Sequence, residues 1–285
     1  MSPTPTTAAL VLRFGHSPDP DDAFMFYGLA KGAVRIRDFR VEHVLHDIQT
    51  LNEMAMAGTI EVTAISAHAY PAVADDYWIM HCGASMGMGY GPIVVALPEG
   101  PSSVEELAGR RVAIPGRLTT AYLVAQLYLP AFEAVVTPFD RIPDAVRDGA
   151  VDAGLVIHEG QITYGEYGLA KLADLGALWW EDTGLPLPLG LDVVRKDLGR
   201  KLASEVAGGL AASIAHAFEH EDDAVAYALD YGRGLDTERA RTFVRMYVNE
   251  YTRDMGEEGR RALQTLFDRG ARAGLISPVG KIEVI

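Results

Sequence analysis

The residues of this 285-residue chain best suited to chemistry stand where apolar runs end. Ala153 to Ile157 is apolar and passes into His158, whose imidazole, with an unperturbed pKa of about 6.5, is mostly neutral near pH 7 and able to accept a proton. Read from the residues alone, His158 is either such a base or a core histidine tied to a backbone carbonyl. The run Val62-Thr63-Ala64-Ile65-Ser66 ends in a hydroxyl. Thr119-Thr120-Ala121-Tyr122 follows a Pro-Gly turn and opens a helical pattern, so its amides and hydroxyls can serve as N-caps and also meet a small anion. In Asp19-Pro20-Asp21-Asp22, Pro20 and the acids fit the first turn of a helix, and no His or third carboxylate follows at a metal-ligand spacing. Helix capping is therefore expected there rather than a metal site. Glu159 reads as a solvated loop acid, since neighbouring strand-end residues tend to point opposite ways.

The elements that must position these groups come in two similar copies. In Leu51 to Ser66 a helical pattern reaches Gly58, then Glu61 and an apolar run; in Arg141 to His158 a helical pattern reaches Gly149, then Asp152 and an apolar run. Gly58 and Gly149 predict left-handed helix stops, and the runs predict short strands of parallel type, buried on both faces. Two copies predict two related lobes. In open parallel sheets the ligand crevice lies beyond the carboxyl ends of the strands, so Ser66 and His158 are expected to face one cleft from opposite sides.

Composition agrees with two globular lobes. The chain is 49% hydrophobic and 22% charged, and its net charge of −14 opposes broad polyanion binding, which excludes nucleic acid as an expected partner. A small anionic ligand stays compatible, because backbone amides at a helix start can hold one carboxylate. Met1 to Leu10 has no basic n-region or apolar core of an export signal, no apolar stretch is long enough to span a bilayer, and the lone Cys82 permits no intrachain disulfide. These features predict a cytoplasmic protein, with Cys82 as buried apolar filler. The oligomeric state is left open, a homodimer included.

Along the chain, strand and helix patterns alternate to about residue 95, beginning with strand Val11 to Phe14 and a helix through Asp21 to Lys31. A second unit opens with a Ser102 or Ser103 cap on a helix at Val104 to Leu107. It continues with strand Arg111 to Ile114, helix Thr120 to Leu129 and strand Ala134 to Thr137. From Lys196 the pattern is helical, with caps at Asp222 and Asp236, and those helices are expected to pack on the first lobe. The predicted division is residues 10–95 plus 192–285 for lobe 1 and 96–191 for an inserted lobe 2, with crossings near Ile93 to Pro98 and Leu185 to Val194. This is an α/β, two-lobed, periplasmic-binding-protein-like fold of type II, with its ligand between lobes that can close by hinge motion. The glycines of Gly83 to Gly91 precede a strand instead of linking a strand to a helix, so a dinucleotide fingerprint is excluded and a cleft-side or hinge loop is expected.

Several segments together resemble the 1,4-dihydroxy-6-naphthoate synthase family. They are Phe14 to Phe26, Asp47-Ile48-Gln49-Thr50-Leu51-Asn52, Thr63-Ala64-Ile65-Ser66, Gly83-Ala84-Ser85-Met86-Gly87, Pro115 to Tyr122, Ile157-His158-Glu159-Gly160 and Tyr247-Val248-Asn249-Glu250-Tyr251. The resemblance implies a carbon–carbon lyase of the futalosine route to menaquinone, splitting the small anionic substrate cyclic dehypoxanthinylfutalosine without a metal or redox cofactor. It implies that His158 is the proton acceptor. It also implies that Ala64, Ile65, Ser66, Thr120 and Ala121 line the substrate site, and it tips Asn52 towards the cleft. The related chorismate dehydratase and a non-catalytic solute-binding protein are the competing functions.

Overall fold

The computed structural model describes residues 11–232 and 234–285. The segment Met1 to Leu10, on which the expectation about an export signal rests, lies outside the described residues. Among the described residues, eleven strands form two sheets: β1 (Val11–His16), β2 (Arg40–Leu45), β3 (Val62–Ser66), β4 (Tyr77–Ile79), β5 (Ser85–Gly87), β6 (Ile93–Ala96), β7 (Arg111–Ile114), β8 (Glu133–Val136), β9 (Ala153–Val156), β10 (Ala170–Asp174) and β11 (Leu187–Arg195). The first sheet runs β2-β1-β3-β11-β4 with β5 paired to β11, and the second runs β10-β6-β9-β7-β8.

The two repeats occupy equivalent places. β3 lies between β1 and β11, β9 lies between β7 and β6, and every residue of both strands is buried. Gly58 (φ 64°) and Gly149 (φ 70°) adopt the left-handed conformation that ends the preceding helical segments. The pairing differs from an all-parallel expectation. β3 is parallel to β1 but antiparallel to β11, and β9 is parallel to β7 but antiparallel to β6. The reversed neighbours are the strands that enter each sheet as the chain arrives from the other one. The expected crossings are thus built into the sheets: β6 sits inside the second and β11 inside the first.

Beyond β11 the chain is helical. Helix Arg200–Glu219 packs on helix Pro20–Ala30, where the Ser213 hydroxyl accepts the Leu29 N–H at 3.1 Å and donates to the Met25 carbonyl at 2.8 Å. Leu12, Phe14, Val62 and Val194 of the first sheet share a core with Val206, Leu210 and Ile214 of that helix. A second core runs across both sheets, joining Ile65 and Leu191 to Val94, Val112 and Leu155 and to Leu263 and Phe267 of helix Gly256–Arg272. Local differences have local causes. Asp236 caps helix Thr237–Tyr247, but Asp222 lies inside helix Glu221–Leu229 and pairs with Arg241 instead of capping. Ser102 bonds Glu106, yet only the short 3-10 turn Glu105–Leu107 follows. The glycine-rich segment is not a plain loop, because it contains β5. Cys82 is buried, and burial pushes its thiol well above the usual range, which suits filler rather than a nucleophile. Among the described residues, no helix is long and apolar enough to cross a membrane.

Candidate active site

At the end of β3, Ser66 is gripped by Asn52. The Asn52 carbonyl oxygen accepts the Ser66 N–H at 2.8 Å, and its amide nitrogen donates to Ser66 Oγ at 3.0 Å and to the Leu118 carbonyl at 3.4 Å. Because Oγ accepts from Asn52, the hydroxyl keeps its own proton to give elsewhere. Asn52 belongs to helix Ile48–Met56, whose Asp47 cap accepts the Gln49 and Thr50 N–H groups. From that helix Gln49 also accepts the Leu118 N–H at 3.0 Å. A Cβ on Gly116 would stand 2.3 Å from Gln49 Oε1, so this close seat of the second lobe's turn on the first requires glycine.

That turn leads into helix Thr120–Tyr128. The Thr119 side chain is the N-cap, accepting the Tyr122 N–H at 3.3 Å, which leaves the Thr120 and Ala121 amides as first-turn donors beside the cavity. The Thr120 hydroxyl is already committed. It accepts the His68 N–H at 3.1 Å and donates to the Leu189 carbonyl at 2.7 Å. Thr120 therefore ties three segments together with its hydroxyl while lining the cavity.

His158 lies two residues beyond β9, in a turn where its φ is 53°, a left-handed conformation unusual for any residue but glycine. Its Nδ1 stands 3.0 Å from Oδ2 of Asp19, and its ring packs edge-on to Phe139 at 4.9 Å. Asp19 is the cap of helix Pro20–Ala30, accepting the Asp22 N–H at 3.2 Å, and Asp22 in turn accepts the Ser17 N–H at 2.6 Å. Asp19, Asp21 and Asp22 are all buried. Burial, and then the charges of their neighbours, hold all three carboxyls well above the ordinary range, with His158 pulling Asp21 back towards ionisation. A helix dipole favours a carboxylate in its first turn by at most about 2 kcal/mol. Taking a charge out of water costs several kcal/mol, so burial wins unless a partner supplies the difference.

These groups converge on one open cavity between the sheets, lined by Ser66, Thr120, Ala121 and His158 together with Asp21, Ser85, Gln161, Phe243 and Tyr247. Of the residues expected at the site, Ser66, Thr120, Ala121 and His158 are thus brought together. Asn52 and Ile65 are fully buried behind the wall, Asn52 acting through Ser66, and Ala64 is buried within β3 without lining the cavity. Sequence reasoning missed Asp19 and Asp21, whose place in a capping run hid their contact with a segment 139 residues away (158 − 19). It also missed Gln161, whose amide oxygen accepts the Tyr247 hydroxyl at 2.5 Å. Asp19, Asp21 and His158 offer ligand atoms within 4.8 Å of one another, a spacing that could hold a cation. One of those contacts, His158 Nδ1 to Asp19 Oδ2, is an acid–base ion-pair contact at 3.0 Å.

The menaquinone biosynthesis family matches residues 12–272. The chain belongs to this family. It is 43% identical over 267 residues to a 1,4-dihydroxy-6-naphthoate synthase of Thermus thermophilus, spanning 94% of this chain and 96% of that protein. The family's named relatives at this likeness are enzymes, and the chain is one of their kind. A solved structure of protein AF1704 from Archaeoglobus fulgidus superposes with a TM-score of 0.88 at 50% identity, covering 93% of this chain and 98% of that one. The Candida albicans CA3427 product, described as having the generic periplasmic binding protein fold, superposes at 0.73 with 12% identity and 96% coverage of each chain. That likeness shows the fold of this family member: two-lobed and periplasmic-binding-protein-like.

Proposed function

We propose that the chain is a 1,4-dihydroxy-6-naphthoate synthase that splits cyclic dehypoxanthinylfutalosine, with His158 as the general base. The observation that carries this reading is the Asp19–His158 contact at 3.0 Å on the wall of the cavity shared with Ser66 and a helix start. With Asp19 fixing Nδ1, Nε2 is the nitrogen assigned to the substrate, and the buried acid steadies the imidazolium once the proton has moved. The Thr120 and Ala121 amides receive the substrate carboxylate, and the Ser66 hydroxyl donates from the opposite lobe. A closed, drier cavity strengthens each of these dipoles towards the enolate-like charge of a carbon–carbon cleavage.

The test is incubation of the purified protein with cyclic dehypoxanthinylfutalosine and, separately, with chorismate. His158→Asn is expected to bind the first substrate and lose turnover by about 10²- to 10⁴-fold. Turnover of chorismate instead would establish the dehydratase reading, and binding without turnover by the wild type the solute-binding one. Wild-type rates from a folded His158→Asn protein would remove His158 from the chemistry.

A further inference from the structure

We propose that Asp21 is the acid partner of His158, carrying a proton in the substrate-free protein and giving it to the substrate oxygen on which negative charge develops. This rests on the lyase reading with His158 as base. Four carboxyls, Asp19, Asp21, Asp22 and Asp192, are buried in this region. Among the described residues no Arg or Lys pairs with any of them, and the basic group in contact is the single imidazole of His158. One imidazole cannot balance four carboxylates out of water, so the cluster must hold protons.

The hydrogen bonds decide where a proton rests. Both Asp19 oxygens are engaged, Oδ1 accepting the Asp22 N–H at 3.2 Å and Oδ2 standing 3.0 Å from His158 Nδ1 as an ion-pair contact. Asp22 takes the Ser17 N–H at 2.6 Å. Asp21 Oδ1 is buried with no hydrogen-bond partner. A carboxylate keeps its charge where N–H groups meet it, and an oxygen left without a partner, as at Asp21 Oδ1 and also at Asp192 Oδ1, marks a carboxyl more cheaply kept neutral. Asp21 is also the member of the cluster that lines the cavity beside His158. The charged and titratable groups around it are Asp19 and Asp22 on its own segment, His158 and Glu159 beyond β9, Asp192 on β11 and the Tyr247 hydroxyl. Burial and then the Asp19 charge raise Asp21, with His158 opposing, while Asp21 in turn raises Tyr247 after burial and against the Gln161 hydrogen bond.

The substrate class this acid–base pair suits is a β-hydroxy carbonyl compound. His158 takes the hydroxyl proton, and the O–H electron pair becomes the new C=O bond. The carbon–carbon bond breaks, its electron pair moves to the conjugated carbonyl oxygen, and Asp21 protonates that oxygen. One proton leaves the substrate and one returns, with no electrons exchanged. The imidazolium then returns its proton to Asp21, directly or through Asp19, and the pair is reset.

Two readouts test this. Infrared difference spectra of substrate-free wild type against Asp21→Asn at neutral pH are expected to show the C=O band of a protonated carboxyl that the substitution removes. Steady-state rates with cyclic dehypoxanthinylfutalosine are expected to fall about 10²-fold or more in kcat for Asp21→Asn, with KM within a few-fold and the alkaline limb of the kcat profile lost. Asp21→Glu, which keeps the acid, is expected to recover part of kcat and the limb. Absence of the infrared band, unchanged kcat with the limb intact in Asp21→Asn, or a stoichiometric divalent ion bound by wild type and lost in that variant would each overturn the proposal. Wild type that leaves the substrate intact would overturn the lyase reading and the acid role with it. The infrared result separates that failure from one confined to Asp21, since it needs no turnover.

Discussion

Replacing Asn52 by alanine tests how the first lobe holds its half of the site. The side chain is fully buried, and its strongest bond is from the Ser66 N–H at 2.8 Å, followed by the donation to Ser66 Oγ at 3.0 Å and a weak one to the Leu118 carbonyl at 3.4 Å. Asn52→Ala leaves a buried backbone donor unsatisfied, worth about 1–3 kcal/mol, and removes a second bond worth about 1 kcal/mol. A loss of roughly 2–4 kcal/mol is therefore expected. Ser66→Ala deletes only the Oγ contact and leaves the Ser66 N–H paired, so about 1 kcal/mol is expected. Urea unfolding of both variants, read by tryptophan fluorescence with matched m-values, measures the difference, and the double variant should show strong coupling because the two residues share their bonds. Both variants should also weaken substrate binding, Asn52→Ala without any contact to ligand. If Ser66→Ala proves as costly as Asn52→Ala, or the two effects simply add, the clasp is not what fixes Ser66.

Thr120→Ser keeps both bonds of the hydroxyl and should behave like wild type, whereas the equally sized Thr120→Val strands the His68 N–H and Leu189 C=O and should cost about 1–3 kcal/mol and raise KM; equal KM and urea midpoints for the two would refute the tie. Burial lifts Asp192 to a pKa of about 8, far above its value in an unfolded chain, so the stability that its neutral form lends is complete below about pH 4 and is lost as pH rises towards 8. The isosteric Asp192→Asn should thus gain on wild type by a few kcal/mol between pH 4 and 8; a pH-independent difference in unfolding midpoints would contradict this.

Much of the fold was legible because its signals are local. Gly58 and Gly149 mark real left-handed stops, Asp47, Thr119 and Asp236 cap the helices they precede, and the apolar runs at β3, β7 and β9 are strands. Strand direction was not legible at β6 and β11, since a buried run reads alike in parallel and antiparallel neighbours. The site divided in the same way. His158 and Ser66 declared themselves as polar ends of apolar runs, but Asp19 satisfied a capping rule completely with Oδ1, and nothing local reveals that Oδ2 meets an imidazole from the other lobe. Asn52 was drawn towards the cleft by its neighbours in sequence, while the helix turns it inward to serve Ser66.

If His158 is the proposed base, its left-handed backbone sets folding and catalysis against each other at a single codon. A residue with a Cβ in that conformation gives up about 1–2 kcal/mol that glycine would not. Variants of this chain screened only for heat resistance or yield would accordingly be expected to drift to glycine or asparagine at position 158, gaining robustness while losing the proposed base. On the proposed role of His158, a thermostable lineage that keeps histidine there is held to it by the reaction, and directed evolution of this scaffold has to select for turnover from the first round.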